Sequence, residues 1–394
     1  MDHSTAIAPN AAAEPAELAV LAARQAGLRY VEAGEPGIAR ERDGQGFVYR
    51  DAHGRLVDEA DQLLRIARLA IPPAYEQVWI CASERGHLQA TGIDARGRKQ
   101  YRYHARWRSL RDGAKFERMV AFGEALPRLR RRLRRDLALK GLPRDKVLAV
   151  IVALLDSTLV RIGNDEYARS NKSYGLTTLR DRHVEFVRNG RARLRFRGKG
   201  GLEREVTVND RRLVAIVRRC QQLPGQQLFQ YLDDDGQRRP VDSGQVNDYL
   251  RQAMGEDFTA KDFRTWGGTL RAIALMGCTP LPDVLSERAL TSCITQAIKR
   301  VAQDLGNTPA VCRKSYINPV VFEAWREGRL HKVVREDLSR APRRAETLAL
   351  RFLRGQSRRA ATASRVAART GSVGRGRKPP RRMRRTGAAT RARN

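Results

Sequence analysis

The chain has 394 residues, 41% of them hydrophobic, and a formal net charge of +33. It is long enough for two or three domains with real cores, and the lack of an eighteen-residue apolar run, or of a basic start followed by an apolar stretch, speaks against a membrane span and a secretory signal. A surface this basic gains free energy by displacing the counterions of a polyanion, so nucleic acid is the expected partner; the excess is not confined to one end, because the 14 Lys or Arg of residues 354–394, which contain no acid, leave +19 for residues 1–353.

Residues 1–40 open with an Ala-rich stretch poor in aromatics and read as a flexible leader with one short helix at Glu14–Gln25. From Gly46 to Trp107 short β-rich runs alternate with turn residues. Phe47-Val48-Tyr49, the turn Asp51-Ala52-His53-Gly54 and Leu56-Val57 predict a hairpin, and Val78-Trp79-Ile80 with His87–Thr91 a second strand pair. The spacing turns helical with Phe116, Met119, Phe122 and Leu126, and a second helix follows over Asp145–Val160. The run Arg128–Arg135 gives the first of these a cationic face, which is either solvated or turned to a nucleic-acid backbone.

Three strands are predicted within 183–208: His183–Val187, Arg193–Phe196 and Glu205–Val208. Asn189-Gly190 favours a type I′ turn between the first two, and Gly198-Lys199-Gly200-Gly201 makes the second turn. Helices then dominate, over Asp242–Met254, Lys261–Met276, Pro282–Leu305 and a short segment entering Tyr316. The expected fold is α+β: a leader (1–40), a small β-rich domain (41–115), a larger, mainly helical domain (116–353) and a disordered basic tail (354–394).

Several residues suit attack on a phosphodiester. That reaction needs an oxygen nucleophile, cations around the five-coordinate phosphorus, an acid for the departing 5′ oxygen and a grip on the duplex. Tyr316 is the candidate nucleophile: Gly306 can end one helix, and Thr308 as N-cap with Pro309 at the first position can start the helix that carries it. Arg161 and Arg264, read as helical, could each give two parallel hydrogen bonds to phosphate oxygens. Lys199, at a glycine-flanked hairpin tip, could protonate the leaving oxygen. Any one of these, taken alone, is more often an ordinary surface or packed residue. Five cysteines without a Cys-x-x-Cys pair and six histidines without ligand spacing predict reduced thiols and no structural zinc.

Arg161-Ile162-Gly163, Gly198-Lys199, Lys261-x-x-Arg264-Thr265 and Asn307-Thr308-Pro309 through Tyr316 resemble, in order and spacing, the active-site segments of the poxvirus and bacterial type IB DNA topoisomerases, over roughly residues 45–330. The resemblance implies a β-rich DNA-binding domain and a helical catalytic domain of the topoisomerase IB/tyrosine recombinase type, forming a clamp around double-stranded DNA. It implies phosphate-clamping Arg161 and Arg264, general acid Lys199, auxiliary Lys261, hydrogen-bond donor Asn307 and nucleophile Tyr316, with no metal or nucleotide cofactor. Asn307 stands where the viral and nuclear enzymes carry histidine; its amide can donate but cannot titrate. In the front domain, Arg98, Lys99, Gln100, Tyr101 and Tyr103 look like the family's duplex contacts; strand alternation puts Gln100 and Arg102 on one face and the tyrosines on the other, whether toward DNA or toward a core. A monomer in a bacterial nucleoid is implied as well. Two other readings are a tyrosine recombinase, which the β-rich front and the Lys261-x-x-Arg264 form of the second arginine segment disfavour, and a non-catalytic DNA-packaging protein.

Overall fold

The computed structural model describes residues 15–95, 97, 99–334 and 341–373, and the chain divides into two compact units between Arg118 and Met119. The first unit contains α1 (Pro15–Gln25), β1 (Gly37–Asp43), β2 (Gly46–Arg50), α2 (Ala60–Arg68), β3 (Glu76–Cys81), β4 (Leu88–Ile93), β5 (Lys99–Tyr103) and α3 (Ala105–Glu117). Its strands form one antiparallel sheet in the order β2-β1-β3-β4-β5, which leaves β5 at an edge.

The predicted β3–β4 pair is present, but the first predicted hairpin is different. β2 takes β1 as its main partner across the Gly44 turn, and the downstream residues contribute only the bridge Arg50–Leu56. The leader reading also needs correction from residue 15 onward. Ala23 and Leu28 pack with Trp107, Ile38 joins the core of Ile66, Val78, Ile80 and Ala90, and the backbone N–H of Val31 donates to His87 Nδ1. A few apolar residues spaced through a polar stretch are enough to order it once a sheet stands ready to cover them.

The second unit begins with α4 (Met119–Asp136), whose buried Met119, Phe122, Leu126, Leu129 and Leu133 fall at three- and four-residue intervals. α5 (Arg144–Thr158) is buried from Lys146 through Val152 and again at Leu154 and Leu155, as befits a central helix. After α6 (Asp165–Asn171) come β6 (Val184–Val187), β7 (Arg191–Arg197) and β8 (Glu203–Val208), a three-stranded antiparallel sheet in sequence order. Asn189 and Gly190 both adopt positive φ, 64° and 67°, as a type I′ turn demands. α7 (Arg211–Gln221), the short pair β9 (Gln230–Leu232) and β10 (Arg238–Pro240), α8 (Ser243–Met254), α9 (Ala260–Cys278), α10 (Glu287–Leu305), α11 (Pro309–Ser315), α12 (Val320–Arg326) and α13 (Pro342–Val373) complete it.

α10 starts at Glu287 rather than Pro282, because Ser286 caps it, its hydroxyl accepting from the Ala289 N–H at 3.2 Å. α13 runs through residues read from sequence as the start of a disordered tail. Ala345, Ala349, Phe352 and Leu353 bury one side of it, and the Ala- and Arg-rich residues beyond are strong helix formers with no proline before 379. The rest of the tail, 374–394, and the start of the leader, 1–14, lie outside the described residues.

Candidate active site

Three helix ends meet in the second unit. α5 stops at Leu159, which takes the left-handed conformation (φ 56°), and Arg161 follows in the irregular chain beyond it. Arg161 is therefore not helical, as its sequence context had suggested. Its backbone is pinned by the segment after α6: the Leu176 N–H donates to Arg161 O at 2.9 Å and the Thr177 N–H to Ile162 O at 2.6 Å. Gly175 is required there, since a Cβ would stand 2.6 Å from Arg161 O. Arg264 projects from the first turns of α9, and α10 ends at Gly306 (φ 57°), which turns the chain so that Asn307 and the Thr308 cap lead into α11. Thr308 Oγ1 accepts from the Val311 N–H at 3.4 Å, and Tyr316 closes α11 as its C-cap.

These elements bring Arg161, Arg264, Asn307 and Tyr316 together. Arg161 hydrogen-bonds Asn307 Oδ1 and donates to Gly306 O at 3.4 Å. Arg264 is 3% exposed, binds Leu159 O, and donates to Leu305 O at 2.9 Å. Its guanidinium carbon lies 4.9 Å from the centre of the Tyr316 ring. Two donors, Arg264 Nε and Asn307 Nδ2, are buried with no acceptor among the described residues. Because Asn307 Oδ1 is held by Arg161, its amide cannot flip, so Nδ2 remains the group offered outward. Unpaired buried donors are costly unless an incoming acceptor meets them.

The charges favour an anion. Burial, then the neighbouring Arg264, lower the Arg161 guanidinium to about 10, still cationic at neutral pH. Burial alone would raise the half-buried Tyr316 phenol, but Arg264, Arg161 and Lys261 outweigh it and hold it below the ordinary tyrosine range.

The remaining predicted residues stand differently. Lys261, on the exposed side of α9, adds to the field at Tyr316. Lys199 is exposed at the β7–β8 tip, where no contact joins it to the cluster among the described residues. In the first unit Tyr101 and Tyr103 are 49% and 37% exposed and stack with ring centres 6.1 Å apart, so they are not core residues. Lys99 lies on their face, 6.0 Å from the Tyr101 ring. Gln100 faces the other way and donates to Asp94 at 2.9 Å; Arg98 lies outside the described residues. The Arg128–Arg135 run divides: Arg130 is bound by Asp156 and Glu346, while Arg128, Arg131, Arg132 and Arg135 line a cleft of about 290 Å³ with Gln252 and Ala253. Among the described residues no three His, Cys, Asp or Glu gather at metal-binding distance, and no helix is long and apolar enough to cross a membrane.

Sequence reading missed two features. Gly267-Gly268, inside α9, gives Leu159 and Tyr316 room: a Cβ on Gly268 would lie 2.7 Å from Tyr316 O, and one on Gly267 would overlap Leu159. Paired glycines in a helix interior cost stability, which was the available signal of close packing. The other is Arg204 of β8, which donates to Gln303 O at 3.3 Å and Asp304 O at 3.1 Å, so that three arginines grip the carboxy end of α10. In a chain with 76 Lys and Arg nothing in the sequence marks it out.

Residues 104–332 match the family described as eukaryotic DNA topoisomerase I, catalytic core, and residues 46–94 match bacterial DNA topoisomerase IB, N-terminal domain. Among curated proteins, DNA topoisomerase 1B of Acanthamoeba polyphaga mimivirus is 33% identical over 294 residues, covering 73% of this chain and 87% of its own length. DNA topoisomerase 1B of vaccinia virus (strain Copenhagen) is 24% identical over 257 residues, 63% of this chain and 75% of its own.

Proposed function

The chain belongs to the type IB DNA topoisomerase family, and from that membership we propose that it relaxes supercoiled DNA by transient cleavage of one strand through Tyr316. The observation that carries the residue assignment is a half-exposed phenol set against Arg264, beside buried and unpaired Arg264 Nε and Asn307 Nδ2.

In this reading the two units close as a clamp on double-stranded DNA, largely through phosphate contacts. Lys99, Tyr101 and Tyr103, with Arg98, meet the duplex from the edge strand; Gln100 joins them only by exchanging Asp94 for a DNA group. Arg161 and Arg264 neutralise the non-bridging oxygens of the scissile phosphate, and Asn307 Nδ2 donates to one of them. The Tyr316 phenol gives up its proton to solvent water and its oxygen attacks phosphorus in line. The Tyr316 Oη–P bond forms as the P–O5′ bond breaks, and Lys199 protonates the departing 5′ oxygen, with Lys261 assisting. The 3′-phosphotyrosyl bond keeps the energy of the broken one. The free 5′ strand turns about its intact partner, and its hydroxyl then reverses the attack, releasing Tyr316 without ATP or metal. We place this activity in a monomer working on a bacterial nucleoid.

The test mixes purified protein with supercoiled plasmid in EDTA and compares it with Tyr316→Phe. Relaxation by the natural protein and none by the variant is expected, with no strand exchange between sites. Relaxation by both, or by neither, overturns the proposal; exchange between sites favours a recombinase, and salt-sensitive binding without an adduct a packaging protein.

A further inference from the structure

We propose that Arg204 is a positioning residue for Lys199: it fastens the turn end of the β7–β8 hairpin to the carboxy end of α10, and so delivers the ammonium at the tip to the phosphate held by Arg161, Arg264 and Asn307. The inference rests on the reading of Lys199 as proton donor. It is carried by what a single side chain touches along its length.

The stem lies under the hairpin. A Cβ built on Gly198, the residue before Lys199, would stand 3.1 Å from Arg204 Cγ. The head reaches the other side, where it donates to Gln303 O and Asp304 O at 3.3 and 3.1 Å and fills the space over Gly306 so completely that a methyl group there would overlap it. Gly306 precedes Asn307, and its carbonyl is one that Arg161 holds. Arg204 thus contacts both the residue before the proton donor and the residue before the phosphate-binding amide.

Its partner strand is fixed separately, by the Tyr174 N–H donating to Arg197 O at 2.8 Å. Holding both strands at their ends leaves the exposed tip little freedom to wander sideways, and a proton donor displaced by about 1 Å can lose on the order of 10²-fold in rate. A third guanidinium beside Arg161 and Arg264 is repelled by them. The carbonyls at the negative end of α10 offset that repulsion and make this position tenable.

The test separates geometry from charge through the leaving group. Single-turnover cleavage is measured on a duplex with an ordinary scissile phosphodiester and on one with sulfur in place of the bridging 5′ oxygen. Tyr316 Oη–P forms in both; in the second, P–S breaks and a thiolate leaves without needing a proton. On the oxygen substrate Lys199→Ala is expected to slow cleavage about 10²- to 10⁴-fold, and Arg204→Ala about 10- to 10²-fold. On the sulfur substrate both should come within about threefold of the natural protein, since the step they serve has been removed. Full adduct formation there also shows that the variants are folded. Arg204→Lys, which keeps the charge but cannot fork between two carbonyls, should stay slow on oxygen and recover on sulfur. Equal slowing of Arg204→Ala on both substrates, or no slowing on either, overturns the inference while Lys199→Ala is rescued. If Lys199→Ala itself is not rescued, the proton-donor reading fails and the inference falls with it.

Discussion

Two arginine-rich regions of the second unit look alike in sequence and differ in what holds them. On α4, Arg130 is 11% exposed and lies 2.8 Å from Asp156 and 2.7 Å from Glu346, while Arg132 is bound to Asp136 and lies 2.8 Å from Asp145. At the end of α10, Arg161, Arg204 and Arg264 meet backbone carbonyls from Gln303 to Gly306 instead. Carboxylates cancel a guanidinium's charge, whereas carbonyl dipoles orient it and leave the charge in place. The first arrangement locks helices together; the second orients the guanidinium groups without cancelling their charge. In a chain with 76 Lys and Arg, the partner of an arginine says more about its role than its presence does.

The sharpest way to break this comparison is to remove one member of each group. Arg264→Ala should reduce single-turnover cleavage by about 10²- to 10³-fold, as loss of a preorganised donor does elsewhere. Arg264→Lys should recover little, because a point charge cannot hold Leu159 O and Leu305 O and also present a flat donor edge. Full recovery with lysine would mean that only charge matters there. Arg130→Met should act oppositely: it strands two partly buried carboxylates, and urea unfolding should show a loss of about 3–5 kcal/mol. Its cleavage rate constant, measured while the protein is folded, should remain within about threefold of the natural value, since nothing in that pair faces the phenol. A large rate defect in Arg130→Met at unchanged stability would erase the distinction between the two regions.

Much of this was legible in the sequence, for reasons that differ by element. Asn189-Gly190 announced its turn because few residue pairs tolerate positive φ twice in succession. Thr308-Pro309 and Gly306 announced the helix that carries Tyr316 because capping chemistry is local. The Arg204 clamp was not legible, since it depends on a strand and a helix end about a hundred residues apart meeting in space. The order of residues 15–40 was hidden too, because a few scattered apolar side chains look like linker until a surface exists for them to cover, and the helix past residue 353 because its Arg-rich, acid-free composition reads as a tail. Gln100 shows the limit of alternation: the pattern gave its face correctly, but not that Asp94 would already occupy its amide.

A smaller effect tests the field that the arginines make at Tyr316. Its phenol is held below the ordinary tyrosine range because Arg264, Arg161 and Lys261 together outweigh burial. The reacting form is the phenolate, so cleavage should climb as pH rises toward that lowered value and level off above it. Lys261→Ala removes the weakest of the three influences and should move the climb to higher pH, with a lower plateau from the lost help in proton delivery. A profile that does not move, or moves to lower pH, would show that Lys261 does not act on the phenol through its charge.

The smallest expected effect concerns arginines that belong to neither group. Arg128 and Arg131 line the cleft between α4 and α8, and among the described residues no carboxylate pairs with either; Arg128 reaches only Met254 O, at 3.5 Å. If their charge is kept for DNA phosphates, as at the α10 end, each contributes counterion release on binding. Replacing both with alanine should then lower the slope of log affinity against log salt by about one per arginine, with the cleavage rate at saturating protein unchanged. A rate defect at saturation would draw them into the catalytic group. An unaltered slope would mean that this face is merely solvated, and that an arginine without a carboxylate needs a helix end aiming it before it takes part in binding.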